Sequence, residues 1–261
     1  MLKSLYTTAT GMQAQQTMVD MIANNIANVN TAGFKKSQAS FEDLLYVNLQ
    51  APGGNETSQL PTGTQIGSGT RLSATTKVYS AGTLDNTGNR YDVAVDGDGF
   101  FSVTLPDGNL AYTRDGSFRL NRDGQLVSGQ GLVLKPEITV PSDLLELRID
   151  PEGRVLATSA SSPDTASELG VIQLHRFVNP SGLLSVGGNL LRPTDASGAP
   201  ITGNPGQQGL GTLKQGFIEK SNVQIVNELV NLIVAQRAYE VNSRAIQASD
   251  QMLSTATNII R

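Results

Sequence analysis

Both ends of the chain carry apolar residues at every seventh position, a pattern typical of long amphipathic helices. Near the C-terminus the series is Ile225, Leu232, Tyr239, Ile246, Leu253 and Ile260, with a partly polar second column that begins at Leu229. Near the N-terminus it is Leu5, Met12, Val19 and Ile26, and Ile22 widens the same stripe. Such stripes are stable in water only when covered. We therefore expect the two helices to pack on each other or on other copies of the chain.

The N-terminal helix has an unusual polar face. Residues 1–33 contain two charged side chains, Lys3 and Asp20, and the remaining polar positions are mostly Thr, Gln and Asn. Amide and hydroxyl groups are buried at lower cost than charges when they find hydrogen-bond partners. This predicts a helix that is enclosed on most sides. Gly11 predicts a close approach of another backbone, and Gly33 predicts the end of the helix through a left-handed cap.

Composition excludes several classes of function. The net charge is −4 without a Lys/Arg cluster, which argues against a nucleic-acid partner. Cys is absent, which excludes disulfides and thiolate metal sites, and we expect no metal and no cofactor. The apolar runs are far shorter than the ~20 residues of a membrane span. An apolar signal region is missing at the N-terminus, so we expect no membrane insertion, and any export is expected to leave the N-terminus uncleaved, without a cleaved signal peptide.

The middle of the chain changes from a period of seven to a period of two. Apolar residues alternate with polar ones from Tyr91 to Val95 and from Phe101 to Leu105, as in half-buried strands. Asp-Gly pairs at 107–108, 115–116 and 123–124 are tight-turn signals. We predict an antiparallel meander within a β domain.

These patterns predict an α+β protein with a discontinuous, coiled-coil-like inner helical domain formed from both termini. Residues 1–33 are its N-terminal helix, 34–90 an extended connecting arm, 91–212 the inserted antiparallel β domain, and 213–261 a linker with the C-terminal helix. Residues 47–90 are rich in Gly, Thr, Ser and Asn, a composition that cannot bury a core by itself. This arm is either a flexible linker or a segment ordered against partners.

The sequence offers no active site. Asp96 and Asp98 lie between glycines, where carboxylates more often shape turns than perform catalysis. His175 lies in an alternating strand and is expected to be structural. An enzyme that uses the two aspartates remains an alternative. So does a monomeric carbohydrate-binding β domain on a helical stalk.

Residues 22–35, which read IANNIANVNTAGFK, resemble the N-terminal signature of the bacterial flagellar rod and hook proteins. Residues 221–223, 228–230, 236–240 and 242–243 resemble the C-terminal signature of the same family. Within the family the resemblance is closest to its distal-rod members, and it includes residues 41–46 and 111–116.

The resemblance implies a structural subunit, not an enzyme. Such a subunit assembles helically, by a non-closing rotation, into the distal rod of the basal body, a rigid hollow shaft that transmits torque. The implied partners are other copies of the chain, proximal-rod and hook proteins, the P- and L-ring proteins and the flagellar export apparatus. The implied location is the basal body where it spans the periplasm. A hook or proximal-rod subunit is the nearest alternative.

The resemblance also assigns a role to part of the arm. In distal-rod proteins a longer arm wedges between neighbouring subunits and stiffens the rod; here it corresponds to residues 46–69, with Tyr46, Leu60, Pro61 and Ile66 as the candidate residues. Phe41-x-x-x-Leu45 resembles the short signal by which rod and hook subunits engage the export gate. The alternative for that motif is an amphipathic turn packed on the first helix.

Overall fold

The computed structural model describes residues 2–50, 63–160 and 162–259, which form helices at both ends and antiparallel strands between them. They divide into two units. The helical unit contains α1 (Leu2–Ala27), β1 (Ser37–Asp43), β2 (Val47–Gln50), β3 (Thr64–Ile66), β4 (Thr70–Lys77) and α2 (Ile225–Ile259). The β unit comprises residues 28–36 and 78–223. The protein is therefore of mixed α+β class. Within the described residues, neither helix is long and apolar enough to span a membrane.

In the helical unit, α1 packs against α2. A side chain added at Gly11 would contact Asn242, and Asn25 contacts Glu228. The start of α2 thus contacts the end of α1, and a later part of α2 contacts an earlier part of α1. The two helices therefore run antiparallel. The described parts of both helices lack proline, and straight side chains such as Leu, Met and Gln lose little freedom in a helix.

The N-terminal helix is shorter than the sequence predicted. It ends at Ala27, and turns follow through residue 33. Gly33 does have a left-handed backbone, with φ of 68°, but its role is different from a helix cap. A Cβ at Gly33 would lie 2.7 Å from the carbonyl carbon of Arg114 and from the amide nitrogen of Asp115. The glycine therefore permits close packing of two backbone segments within the β unit.

The predicted arm over 34–90 divides between the two units. In the helical unit, β1 pairs antiparallel with β4, from Ser37 opposite Lys77 to Asp43 opposite Thr70, with a register shift between Ser40 and Phe41. β2 and β3 pair as a second short ladder. Residues 78–90 belong instead to the β unit. Backbone pairing, which composition does not reveal, orders the described part of this segment.

The β unit continues the strand series. The strands are β5 (Leu84–Asn86), β6 (Val93–Asp96), β7 (Phe101–Thr104), β8 (Leu110–Thr113), β9 (Arg119–Leu120), β10 (Leu126–Val127), β11 (Leu134–Lys135), β12 (Leu144–Ile149), β13 (Arg154–Ser159), β14 (Ser162–Val171), β15 (Leu174–Arg176), β16 (Leu184–Gly187), β17 (Leu190–Arg192), β18 (Ile201–Gly203), β19 (Thr212–Gln215) and β20 (Phe217–Glu219). The larger sheets have the orders β11-β7-β8-β17-β16 and β12-β13-β14, and all pairings are antiparallel. β6 pairs with β19, and β5 pairs with β20.

The predicted meander is only partly present. Gly108 and Gly124, both with left-handed backbones, lie in the turns of the β7–β8 and β9–β10 hairpins. The Asp115-Gly116 pair does not close a hairpin, because β9 pairs with β10 and not with β8. Gly116 instead packs against the backbone of Val93, where a Cβ would lie 1.7 Å from the carbonyl oxygen. Residues 213–223, predicted as a linker, contribute β19 and β20 to the β unit.

The apolar residues of the predicted alternation lie in the core of the β unit, but Ala94 and Ser102 between them are buried too, so β6 and β7 are buried on both faces and not half-buried. Val93, Val95, Phe101 and Val103 are fully buried. Phe101 meets Phe118 edge to face, with ring centroids 5.1 Å apart, an arrangement that aromatic pairs prefer. A second aromatic cluster contains Phe100, Tyr112 and Phe177. His175 is buried beside Tyr112, and burial lowers the pKa of its imidazole.

Candidate assembly surfaces and the junction of the β unit

The face of α2 that packs on α1 includes a column of small and polar residues. The buried members are Glu228, Ala235 and Ser249, and Asn242 and Ala256 are half-buried on the same line. These five positions repeat every seven residues, one residue before the second column predicted from Leu229. Small side chains let helix backbones approach closely. Sequence reasoning missed this column because it searched for bulky apolar residues.

A polar contact holds one end of the helix pair. Asn25 is buried, accepts a hydrogen bond from the Ser37 backbone N–H at 2.9 Å and donates one to the Ser37 carbonyl at 3.0 Å. Its amide also lies 3.5 Å from Glu228 Oε2. The Asn25 side chain thereby joins the last turns of α1 to the start of β1 and to the first turn of α2. Gly11 lies at another contact between α1 and α2. The sequence predicted that another backbone approaches it, but the side chain of Asn242 does so instead.

The packing residues predicted from the seven-residue columns have different environments. In α1, Ile22 is buried, and Leu5, Met12, Val19 and Ile26 are half-buried. In α2, Leu232, Ile246 and Leu253 are half-buried, whereas Ile225, Leu229 and Tyr239 are exposed. Ile260 lies outside the described residues. Their role in contacts between subunits stays a prediction.

The opposite face of α2 carries a second apolar stripe, which we call the outer stripe. It consists of Val226, Val230, Ile233, Val234 and Val241. At 3.6 residues per turn these positions span an arc of about 100° on the side away from Ala235. Their exposed fractions lie between 53% and 73%. α2 therefore presents apolar residues on two sides, although α1 covers only one.

The outer part of the arm also exposes apolar side chains. Tyr46 and Ile66, two of the predicted stiffening residues, are exposed. Leu60 and Pro61 lie outside the described residues. Val47 and Leu49 of β2 are exposed beside them. The predicted role of these residues in contacts between subunits stays a prediction.

The predicted export motif is split between a strand and a loop. Phe41 lies in β1, and Leu45 follows β1 with 88% of its surface exposed. The alternative interpretation as a turn packed on the first helix is wrong for Leu45, because its side chain is almost free of contacts. The export role itself stays a prediction.

The β unit contains a buried cluster of ionised side chains that sequence reasoning did not find. Lys35 Nζ lies 2.7 Å from Glu219 Oε1, and Arg114 Nε lies 2.5 Å from Glu219 Oε2. All three residues are buried. The backbone N–H of Gly82 donates a further hydrogen bond to Glu219 Oε1 at 2.8 Å. One carboxylate is thus shared by two cations and a backbone amide, which offsets the cost of removing it from water.

Burial by itself raises the pKa of Glu219, but the charge of Arg114 and the hydrogen bonds from Lys35 and Gly82 outweigh it and hold the pKa below its ordinary value. Burial lowers the pKa of Lys35, and the contacts with Glu219 oppose that shift. Glu219 is therefore ionised at neutral pH.

Arg114 also explains the glycine-flanked aspartates. Its guanidinium donates hydrogen bonds to the carbonyl oxygens of Val95, Gly97 and Gly99. Gly97 and Gly99 have positive φ angles, which let this loop wrap around the guanidinium. Asp96 forms an exposed ion pair with Lys214 at 2.7 Å. Within the described residues, His, Cys, Asp and Glu form no group that could hold a metal ion. The loop is thus built around the guanidinium of Arg114.

Three family models match the chain. Residues 5–35 match the model described as flagella basal body rod protein, residues 94–157 the flagellar hook protein FlgE/F/G D1 domain, and residues 214–259 the flagellar basal body rod FlgEFG protein C-terminal region. The chain is 46% identical to the flagellar basal-body rod protein FlgG of Borreliella burgdorferi, over 100% of both chains. It is 40% identical to FlgG of Bacillus subtilis, again over 100% of both. The chain belongs to the FlgG family.

Similarity to FlgG exceeds similarity to another flagellar relative in the same organism. The flagellar hook-basal body complex protein FlhP of Bacillus subtilis is 29% identical over 99% of this chain and 100% of its own. Among solved structures, the hook protein FlgE2 of Helicobacter pylori is similar over 71% of this chain and 43% of that chain, at 15% identity. The TM-score of 0.25 is too low to support a statement about the fold.

The regions that match the FlgG-related models contain the buried ion cluster. Lys35 lies at the end of the first matched region, Arg114 in the second, and Glu219 in the third. Each matched region therefore supplies one of the three charged residues.

Proposed function

We propose that this chain is a structural subunit of the flagellar basal-body rod, that it assembles helically with other copies of itself, and that the rod it forms is the distal rod. Membership of the FlgG family over the full length of the chain supports this function. The higher identity to FlgG than to FlhP in one organism favours FlgG over a different rod or hook subunit. The role is mechanical and does not involve catalysis.

The outer stripe of α2 is the observation that carries the proposal. A helix with apolar residues on two sides is typical of a helix enclosed in a larger assembly. Because α1 covers one side within the chain, another copy must cover the other. Burying a Val or Ile side chain contributes roughly 1.5 kcal/mol or more. Several such residues in each subunit can stabilise a polymer whose individual contacts are weak.

The predicted column residues and the arm have separate parts in this proposal. Leu232 and Leu253 are half-buried in the single chain, and neighbouring subunits would cover the remainder of these side chains. Tyr46 and Ile66 would contact adjacent subunits and stiffen the rod, and the remainder of residues 46–69 would take part in the same contact. The resulting structure would be a coiled-coil-like inner layer.

The partners follow from the place of a distal rod in the basal body. We propose proximal-rod and hook proteins as axial neighbours, and the P- and L-ring proteins as the surrounding bushing in the periplasm. Export through the flagellar apparatus would use Phe41 and Leu45 and leave the N-terminus uncleaved. No nucleic-acid or membrane contact is part of this proposal.

A double substitution in the outer stripe tests the assembly. Val230→Gln with Val234→Gln removes apolar surface and introduces a better helix former than Val, so the helix itself should not be weakened. We expect the purified variant to retain its far-UV circular dichroism, to remain monomeric in sedimentation at concentrations where the parent polymerises, and to fail to restore motility to a deletion strain. Val178→Gln, at an exposed position of the β unit, is the matched control and should behave like the parent. Normal polymers from the double variant would refute the proposal.

Filament shape separates the nearest alternative. A distal-rod subunit should give straight polymers in electron micrographs, whereas a hook subunit should give curved ones. A monomeric carbohydrate-binding domain would form neither, and would keep its ligand binding after residues 1–33 and 222–261 were deleted.

A further inference from the structure

All covalent links between the two units start from three short segments of the β unit. The chain passes between the units after Ala27, Lys36, Lys77 and Val223. On the side of the β unit, the links begin in residues 28–36, 78–82 and 219–223. Apart from Glu219, these segments lie outside the strands. Two backbone hydrogen bonds cross between them, from the Gly33 N–H to the Glu219 carbonyl at 2.8 Å and from the Val78 N–H to the Lys36 carbonyl at 2.9 Å, but a regular ladder does not hold most of their length.

Side chains join the three segments. Lys35 Nζ donates to the Ser80 carbonyl at 2.7 Å and to Glu219 Oε1 at 2.7 Å. Asn222 accepts from the backbone N–H of Lys36 at 2.8 Å and donates to the Val78 carbonyl at 2.8 Å. Each of these side chains thus contacts both of the segments to which it does not belong. Glu219 closes the set through Gly82.

We propose that Lys35, Glu219 and Asn222 form a latch that fixes the four links as one rigid base on the β unit. Force that enters through any one link is then shared by all three segments, because none can move without breaking hydrogen bonds to the others. The latch is a positioning device for the proposed rod function, and its mechanical significance rests on that function. The hydrogen bonds of the latch are present in the single chain whether or not the rod function is correct.

The position of the charges supports this role. Glu219 and Lys35 are buried, so water cannot replace the hydrogen bonds that they lose. Asn222 is neutral and bonds mainly to backbone groups, which fixes the path of the chain without adding charge. Arg114 keeps the second carboxylate oxygen of Glu219 occupied and anchors the latch to the loop around Gly97. The latch is thereby connected to the core of the β unit.

Hydrogen exchange of the full-length protein, measured by mass spectrometry below its polymerisation concentration, tests the latch. The amides of Lys36 and Gly82 bond directly to latch side chains and report on it. For Asn222→Ala we expect at least tenfold faster exchange in peptides covering 28–36 and 78–83, with unchanged exchange in 101–113. Glu219→Gln should accelerate the same peptides. Lys214→Met, which removes an exposed ion pair of the same unit, is the control and should change none of them.

Two results would overturn the proposal. One is unchanged exchange of the base peptides in Asn222→Ala. The other is equal acceleration in residues 101–113, which would indicate a general loss of stability. If Glu219→Gln does not fold, Asn222→Ala decides alone. The measurement does not require polymerisation, so failure of the latch and failure of the rod function are distinguishable: a chain with a normal latch could still fail to restore motility.

Discussion

Lys35 and Glu219 are 184 positions apart in the sequence, and a hydrogen bond of 2.7 Å joins them in the interior of the β unit. The contact brings a segment next to the first helix together with a strand next to the last one. The folded β unit therefore needs residues from both ends of the chain.

Glu219→Gln should destabilise the β unit. The substitution leaves Lys35 and Arg114 buried without their counter-charge, a loss of about 3–5 kcal/mol when one partner of a buried pair is removed. Urea unfolding followed by near-UV circular dichroism measures it. Lys214→Met is the control, because removing an exposed pair changes stability by about 0–1 kcal/mol. Equal effects of the two substitutions would contradict the assigned role of burial.

The contribution of Glu219 should also depend on pH. Its pKa in the folded protein lies below the ordinary value of 4.5, so the folded state binds its proton less readily than the unfolded state. The stabilisation is fully present above that ordinary value and is lost as the pH falls through the folded pKa. The melting temperatures of the parent and of Glu219→Gln should differ most near neutral pH. The difference should shrink as the pH falls below the ordinary pKa of Glu219. A difference that stays constant down to about pH 3 would contradict the prediction.

Gly33→Ala should cost more stability than Gly88→Ala. Both glycines have nearly the same left-handed backbone, with φ of 68° and 67°, and both substitutions carry about 1–2 kcal/mol of conformational cost. A Cβ at Gly88 meets nothing within 4 Å, whereas one at Gly33 would lie 2.7 Å from the backbone of Arg114. Thermal unfolding of the two variants isolates the collision. Identical melting temperatures would show that the backbone at Gly33 moves away freely.

Asn25→Ala should weaken the helical unit. The change leaves the backbone N–H and carbonyl of Ser37 without their hydrogen bonds to the Asn25 amide. We expect this to lower the free energy of unfolding by about 1–3 kcal/mol. Urea unfolding monitored at the helical circular dichroism band provides the measurement. Gln16→Ala, at an exposed position of the same helix, is the matched control and should fall within about 0.5 kcal/mol of the parent. A loss of the same size in the control would show that the effect does not come from the hydrogen bonds between Asn25 and Ser37.

Ala235→Leu should disrupt the packing of α2 on α1. Ala235 is buried in the small-residue face, and extra methylene groups in a packed interface typically cost about 1–3 kcal/mol. Ala245→Leu places the same side chain at an exposed position of the same helix. Far-UV circular dichroism during thermal unfolding should show a lower midpoint for the first variant only. A stable Ala235→Leu protein would mean that the helices are not closely packed at this point.

Local pattern predicted the elements better than it predicted their contacts. The seven-residue columns indicated the helices that became α1 and α2, and the alternation around Val93 and Phe101 indicated buried strands. Both signals arise within a few residues, because the period of side-chain direction differs between helix and strand. The sequence resemblance also carried the family. Neither signal contains the distance between residues far apart in the chain.

The buried ion cluster is a missed feature that depends on such distances. Nothing near Lys35, Arg114 or Glu219 marks them as neighbours, since the carboxylate is 105 positions from the arginine and 184 from the lysine. The column of small and polar residues on α2 was missed for another reason. Ala235 and Ser249 have little apolar surface, although their spacing of two heptads was visible in the sequence. Asp96 and Asp98 were expected to shape a turn, but nothing in the sequence indicated that Gly97 and Gly99, with positive φ angles, let this loop wrap around Arg114.

The pairing of α1 with α2 sets an order of events during synthesis on the ribosome. α1 is translated early, but its helical partner follows every other described element. Lys35, Arg114 and Glu219 all precede α2, so the β unit can close while α2 is still inside the exit tunnel. Until α2 emerges, the apolar stripe of α1 is incompletely covered. A newly made chain is therefore most prone to premature association in the interval before translation ends.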